Sequence, residues 1–164
     1  MGRWRPPSPR SSPYITREGY GVLETELRAL WQKRGHVTQA LSAAAAEGDR
    51  SENAEYIYRK KELRELDRRI GYLQKRMPDL KVITECPAED SRVFFGAWVT
   101  LEDEKGEDTE YRIVGPDEFD PAKHYISVDS PLAQALLKKS VDDEVRVKTP
   151  AGGMHCFIVK VRYQ

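Results

Sequence analysis

Asp49 and Glu52 are the residues whose type and spacing point most directly to chemistry. They stand in a polar run, Gly48-Asp49-Arg50-Ser51-Glu52-Asn53, between two long heptad-patterned segments. A carboxylate pair at the far end of a rod suits chemistry delivered into another molecule's cavity. The same spacing also suits structure. Asp-x-x-Glu at a helix start is a variant of the capping box, and both acids favour the positive end of a helix. Taken alone the motif favours the cap; the elements around it decide the matter.

Those elements follow from apolar spacing. Tyr20, Leu23, Leu27, Leu30, Arg34, Val37, Leu41 and Ala44 alternate steps of three and four. So do Tyr56, Arg59, Leu63, Leu66, Ile70, Leu73, Met77 and Leu80. This 3.5-residue period is the seam of two supercoiled helices, interrupted only by Arg34 and Arg59. The short connection between the segments makes them antiparallel. A first helix from about Thr16, a hydroxyl cap, to Glu47 would be roughly 45–50 Å long. Gly48 suits the left-handed residue after it. The second helix is expected to start within residues 49–53 and to stop before Pro78.

The 164 residues suit one ordinary domain or two small ones. No apolar run approaches the ~18–20 residues of a membrane span, and the N-terminus has no apolar signal core. Cys86 and Cys156 lie far apart and demand neither disulfide nor zinc, so a reduced compartment is the simpler reading. Formal charge is zero overall but uneven. Residues 1–83 carry 17 Lys and Arg against 11 Asp and Glu, or +6; residues 84–164 carry 10 against 16, or −6. Two surfaces with different partners are expected.

Three pieces result. Residues 1–13, rich in Pro, Ser and Arg, are expected to be disordered. Residues 14–81 form the coiled-coil hairpin with the acidic tip. Residues 82–164 read as short β-runs at 92–101, 109–114, 125–128, 144–148 and 156–163, with turns at 103–106 and 149–153. A short helix over 132–139 follows Pro131. The fold class is therefore α+β, an antiparallel helical hairpin followed by a small antiparallel sheet carrying one helix. Phe94, Phe95, Trp98 and Ile113 are assigned to the core of the second piece.

Residues 59–76 hold eight basic and three acidic side chains. Lys61, Arg68 and Lys75 share the outward heptad position, with Arg64 on the same side. Arg59, Lys60 and Lys61 form an unbroken basic run near the tip. Such a stripe can follow a nucleic-acid backbone or match an acidic wall. It can equally be a solvated face, with Glu62, Glu65 and Asp67 as local partners worth about 0.2–0.5 kcal/mol per pair. His36, His124 and His155 are isolated in sequence, and His155-Cys156 would point to opposite faces of a strand.

The run from Gly48 to Tyr56 resembles the tip signature of the Gre transcript-cleavage factors of bacterial RNA polymerase. Further resemblance lies in Thr16-Arg17-Glu18-Gly19-Tyr20 and in residues 65–70, 93–99, 111–115, 126–131 and 148–152, so that it spans roughly 14–163 in one register. Arg50-Ser51 and the basic second helix look more like the GreB-type branch. The resemblance implies an FKBP-like second domain that grips polymerase, with the loop Asp129-Ser130-Pro131-Leu132 as a candidate contact. It implies a hairpin inserted through the polymerase's secondary channel when the enzyme has backtracked. Asp49 and Glu52 would then help hold a shared Mg²⁺ in the polymerase active site or orient the attacking water, supported by Ser51 and Asn53. Arg59, Lys60, Lys61, Arg64 and Arg68 would contact the extruded nascent RNA, with Arg59 ranked first because it interrupts the seam near the tip. Family members are cofactors with no metal of their own rather than nucleases, and a cytoplasmic monomer with no membrane partner is expected.

With the long rod and the full-length resemblance, the acids become functional residues rather than caps. The alternative is a secondary-channel regulator without cleavage activity, against which the retained Asp49 and Glu52 argue. An autonomous nuclease is disfavoured by two exposed carboxylates with no formed pocket.

Overall fold

The computed structural model describes residues 10–48 and 53–163. They divide into two compact units, residues 20–80 and residues 10–19 with 81–163.

The first unit is the helical hairpin. Helix α1 spans Arg17–Ala45 and helix α2 spans Ala54–Arg76. Contacts of Glu26 with Arg69, Lys33 with Glu62 and Ala44 with Asn53 advance along one helix as they retreat along the other, so the pair is antiparallel. Leu23, Val37 and Ala44 of the first segment and Leu66, Ile70, Leu73 and Met77 of the second are buried. Leu27, Leu30, Leu41 and Leu63 on the same seam are half-buried, because two helices alone supply no third surface to cover them. The two breaks in the apolar seam are ion-paired. Arg34 donates through Nε to Asp67 at 2.6 Å, and Arg59 meets Glu55 and Glu62 on its own helix. A charge at a seam position of a two-helix rod stays close enough to water for its pairing to cost little.

The ends of the helices follow the local chemistry. The last turn of α1 tightens, with Glu47 N donating to Ala44 O at 3.2 Å, and Gly48 follows at φ +127°. Asn53 has an extended backbone and caps α2. At the other end Pro78 turns the chain out of α2 through a single tight turn over Met77–Asp79.

In the second unit a three-residue strand, β1 (Tyr14–Thr16), pairs in parallel with β2 (Lys81–Ile83). The main sheet contains β3 (Trp98–Asp103), β4 (Asp108–Val114), β5 (Tyr125–Ser127), β6 (Glu144–Thr149) and β7 (Gly152–Arg162), in the order β5-β4-β3-β7-β6. It is antiparallel except at the β4–β5 edge, where the longer connection through residues 115–124 allows a parallel pair. Helix α3 (Pro131–Leu136) places Ala133 and Leu136 in one buried cluster with Val99, Leu101, Ile113, Val145, Val147 and Ile158.

The run expected as one strand over 92–101 is broken. Ala97 N bonds Phe94 O at 3.1 Å in a turn whose Gly96 has φ +85°, and pairing with β4 begins only at Trp98. The turn also alters the expected core. Ile113, Val93 and Ala97 are fully buried, whereas Phe94, Phe95 and Trp98 are half-buried. Trp98 lies on the sheet face opposite Val99, between the guanidinium groups of Arg162 at 4.5 Å and Arg112 at 5.2 Å. Flanking guanidiniums rather than burial explain its place there.

Candidate functional site

Asp49, Arg50, Ser51 and Glu52 lie outside the described residues, which include the two positions bounding them, Gly48 and Asn53. Asn53 holds both helix ends. Its Oδ1 accepts from Tyr56 N at 3.1 Å, capping α2, while its Nδ2 donates to Ala44 O at 2.8 Å, one of the last carbonyls of α1. One amide side chain thus satisfies an orphan donor of α2 and adds a second donor to a C-terminal carbonyl of α1 that also accepts from Glu47 N. An ionised carboxylate could not do both because it has no donor, and a hydroxyl would have to make both bonds from one atom, whereas the amide carries its acceptor and donor on separate atoms. The residue expected only to support the tip therefore ties together the termini from which the acidic segment extends.

The basic residues of α2 separate into two groups. Arg59 donates from Nε to Glu55 at 2.8 Å and from Nη1 to Glu62 at 3.0 Å, and its guanidinium lies 5.5 Å from the Tyr58 ring. Hydrogen bonds from Glu55 and then Glu62 push its pKa above the usual arginine value. Glu62 also receives Lys33 from α1 at 3.6 Å. Arg59 therefore belongs to a network that joins the two helices, and its charge is already matched. Lys60 lies over the Tyr56 ring at 5.8 Å. Lys61, Arg64 and Arg68 are exposed and, among the described residues, carry no ion pair. Positions i, i+3 and i+7 lie along one helix face, so these three form a continuous row of available cations. The seam position of Arg59, which ranks it first in the sequence, is what engages it with carboxylates.

The loop over 129–132 is rigidly built. Ser130 Oγ accepts from Ala133 N at 3.2 Å, capping α3, and Pro131 occupies the first helical position. Asp129 N donates to Ser127 Oγ at 3.1 Å, and Gln134 Nε2 donates to Val128 O at 2.7 Å. Leu132 packs against the buried cluster, leaving Asp129 and Pro131 exposed. Capping of α3 thus accounts for Ser130 and Pro131, but not for Asp129. That carboxylate is engaged by Ser12, whose backbone N donates to Oδ2 at 2.8 Å and whose hydroxyl donates to Oδ1. Ser12 falls in the segment expected to be disordered.

A second carboxylate was invisible to sequence reasoning. Glu118 accepts from Gly115 N at 2.8 Å, from Thr16 N at 3.0 Å and from the Thr16 hydroxyl. Thr16 Oγ1 in turn accepts from Gly19 N at 3.0 Å, so Thr16 is the cap expected of it. Glu118 braces that cap from the sheet domain. On β4, Glu110 accepts from Arg162 at 2.8 and 3.1 Å, which holds its carboxyl below the usual carboxylate range. Burial pushes the Cys156 thiol up, whereas Cys86 is exposed. No helix among the described residues is long and apolar enough to cross a membrane.

Comparison with known proteins matches both pieces of the chain. Residues 13–82 fit the family model described as "Transcription elongation factor, N-terminal", and residues 88–163 fit "Transcription elongation factor, GreA/GreB, C-term". The chain is 58% identical over 164 residues to transcription elongation factor GreB of Pseudomonas aeruginosa, covering 99% of this chain and 98% of that one. It is 56% identical over 154 residues to the GreB of Pasteurella multocida, covering 93% and 98%. Among solved structures, GreA factor homolog 1 (Gfh1) of Thermus thermophilus is 24% identical with a TM-score of 0.43, over 93% of this chain and 99% of that one.

Proposed function

The chain belongs to the GreA/GreB family of transcription elongation factors and is of the GreB type, and from that premise we propose that it stimulates RNA cleavage by backtracked RNA polymerase. The hairpin enters the secondary channel and brings Asp49 and Glu52 to the polymerase active site. The observation that carries this reading is the Asn53 clamp beside a retained acid pair. Asn53 holds the ends of α1 and α2 together beside the acid pair, and a preorganised hairpin end reduces the ordering cost of delivering chemistry to a partner's site.

The donor set fits Mg²⁺, a hard cation commonly held by one or two carboxylates together with phosphate. When bound, the ion supplies a held water and stabilisation of the charge that develops as a phosphodiester is hydrolysed. Asp49 and Glu52 would share its ligation with the polymerase or orient the water. The chain itself is a factor and the catalytic centre is the polymerase's. Lys61, Arg64 and Arg68 would hold the extruded nascent RNA by its phosphates, with Lys60 beside them, while Arg59 stays paired with Glu55 and Glu62. The loop over 129–132 would dock on the polymerase. The factor would act as a cytoplasmic monomer with no metal of its own.

The test is RNA cleavage in stalled, backtracked elongation complexes, with polymerase binding measured in parallel. Asp49→Ala and Glu52→Ala should each lower stimulated cleavage by about a hundredfold with binding retained. Cleavage unchanged by both substitutions would sink the mechanism. Binding by the wild type without stimulation would instead make this a channel regulator.

A further inference from the structure

We propose that Ser12 is a positioning residue for polymerase docking, acting through Asp129. The inference rests on the reading of the 129–132 loop as a docking contact and adds to it a residue 117 positions away in sequence.

Asp129 is exposed, and the backbone around it is held by Ser127, Ser130 and Gln134. None of those bonds reaches its carboxylate. Ser12 takes one oxygen with its backbone N–H and the other with its hydroxyl. Two donors from one residue fix both the rotamer and the plane of the carboxylate, which an exposed aspartate would otherwise sample freely. Ser12 is itself anchored. The next carbonyl, of Pro13, accepts from Lys81 N at 2.7 Å, and β1 begins at Tyr14. The orientation of the carboxylate is thus set by the β1–β2 pair rather than by its own loop.

Each carboxylate oxygen has acceptor capacity for a second donor, so Ser12 orients Asp129 without saturating it. The partner that fits an oriented, exposed carboxylate with spare lone pairs is a basic side chain, a guanidinium above all, on the polymerase surface. Preorganising the acceptor removes part of the ordering cost of that contact and so strengthens binding without taking part in cleavage.

The experiment measures stimulated cleavage against factor concentration for the full chain, reading the half-saturating concentration and the plateau separately. Asp129→Ala should raise the half-saturating concentration. Ser12→Ala, which keeps the backbone N–H bond but loses the hydroxyl, should raise it about two- to tenfold and leave the plateau unchanged. Ser12→Thr, which keeps a hydroxyl, should restore the wild-type value. In the Asp129→Ala background, Ser12→Ala should add nothing. An unchanged half-saturating concentration for Ser12→Ala, or a further rise in the Asp129→Ala background, overturns the inference while leaving the docking reading intact. No effect of Asp129→Ala overturns both.

Discussion

Gly19 and Gly115 show how much can depend on a missing methyl group. A Cβ built on Gly19 would stand 1.9 Å from Glu118 Oε1, and one on Gly115 would stand 2.0 Å from the backbone oxygen of Tyr14. The two obstacles differ in kind. A Glu118 carboxylate can swing aside, losing its bonds to Thr16 and Gly115, whereas the Tyr14 carbonyl is main chain of β1, whose preceding carbonyl, Pro13 O, is bonded to Lys81 N. Gly19→Ala is therefore expected to cost about 1–3 kcal/mol, the price of unmaking charge-assisted hydrogen bonds. Gly115→Ala should cost more, in the range above about 3 kcal/mol that marks a backbone clash. Urea denaturation of the two variants checks the order, and a smaller loss for Gly115→Ala would refute this account of the two contacts. The sequence displayed Thr16 as a helix cap because a cap is a local bond. It could not display Glu118, which reaches that cap from 102 positions away.

Helix ends and strand lengths explain which elements could be foreseen. The hairpin was readable because its apolar residues repeat over six or seven helical turns, and two helices need only one seam. What the pattern could not give was the content of the seam's breaks: Arg34 takes an acid from the opposite helix and Arg59 takes two from its own. Strand β1 escaped notice because three residues carry no usable period, and its pairing with β2 is a long-range contact. Asn53 presents the most consequential helix end. Asn53→Ala removes the α2 cap and the bond to Ala44 together, for an expected loss of about 1–2 kcal/mol. Faster amide exchange should be confined to the first turn of α2 and the last of α1. Stimulated cleavage should fall while polymerase affinity stays the same. Asn53→Asp keeps the cap but loses the donor to Ala44, so it should recover stability more fully than activity.

Across the whole chain, charge is sorted as the two proposed tasks require. The hairpin piece, residues 14–81, carries 14 Lys and Arg against 11 Asp and Glu, or +3, and residues 84–164 carry −6, which matches a hairpin that meets RNA and a sheet domain that meets basic side chains. The described contacts refine that balance, since Arg34, Arg59 and Arg69 are matched by acids within the hairpin. Lys61, Arg64 and Arg68 are among the charges left available, and they stand in one row. If these three meet single-stranded RNA phosphates, replacing each by Gln should reduce the logarithmic salt dependence of factor binding to backtracked complexes by about 0.7 per residue. Arg59→Gln should leave that slope unchanged and instead loosen the hairpin. Equal slopes for all four variants would remove RNA from the account of the stripe.

The parallel pairing of β1 with β2 carries a consequence for how such a protein can be taken apart. Strand β1 ends at Thr16 and β2 begins at Lys81, and those two points belong to neighbouring strands three residues long, within roughly 10 Å of each other. In topological terms the hairpin is a guest inserted in a host whose own ends remain joined. The host can therefore accept hairpins of other lengths, or a short linker in place of residues 17–80, without moving any strand of its sheet. Cutting the chain at residue 81 is a different operation, because it takes away β1 and leaves Glu118 without the threonine it holds.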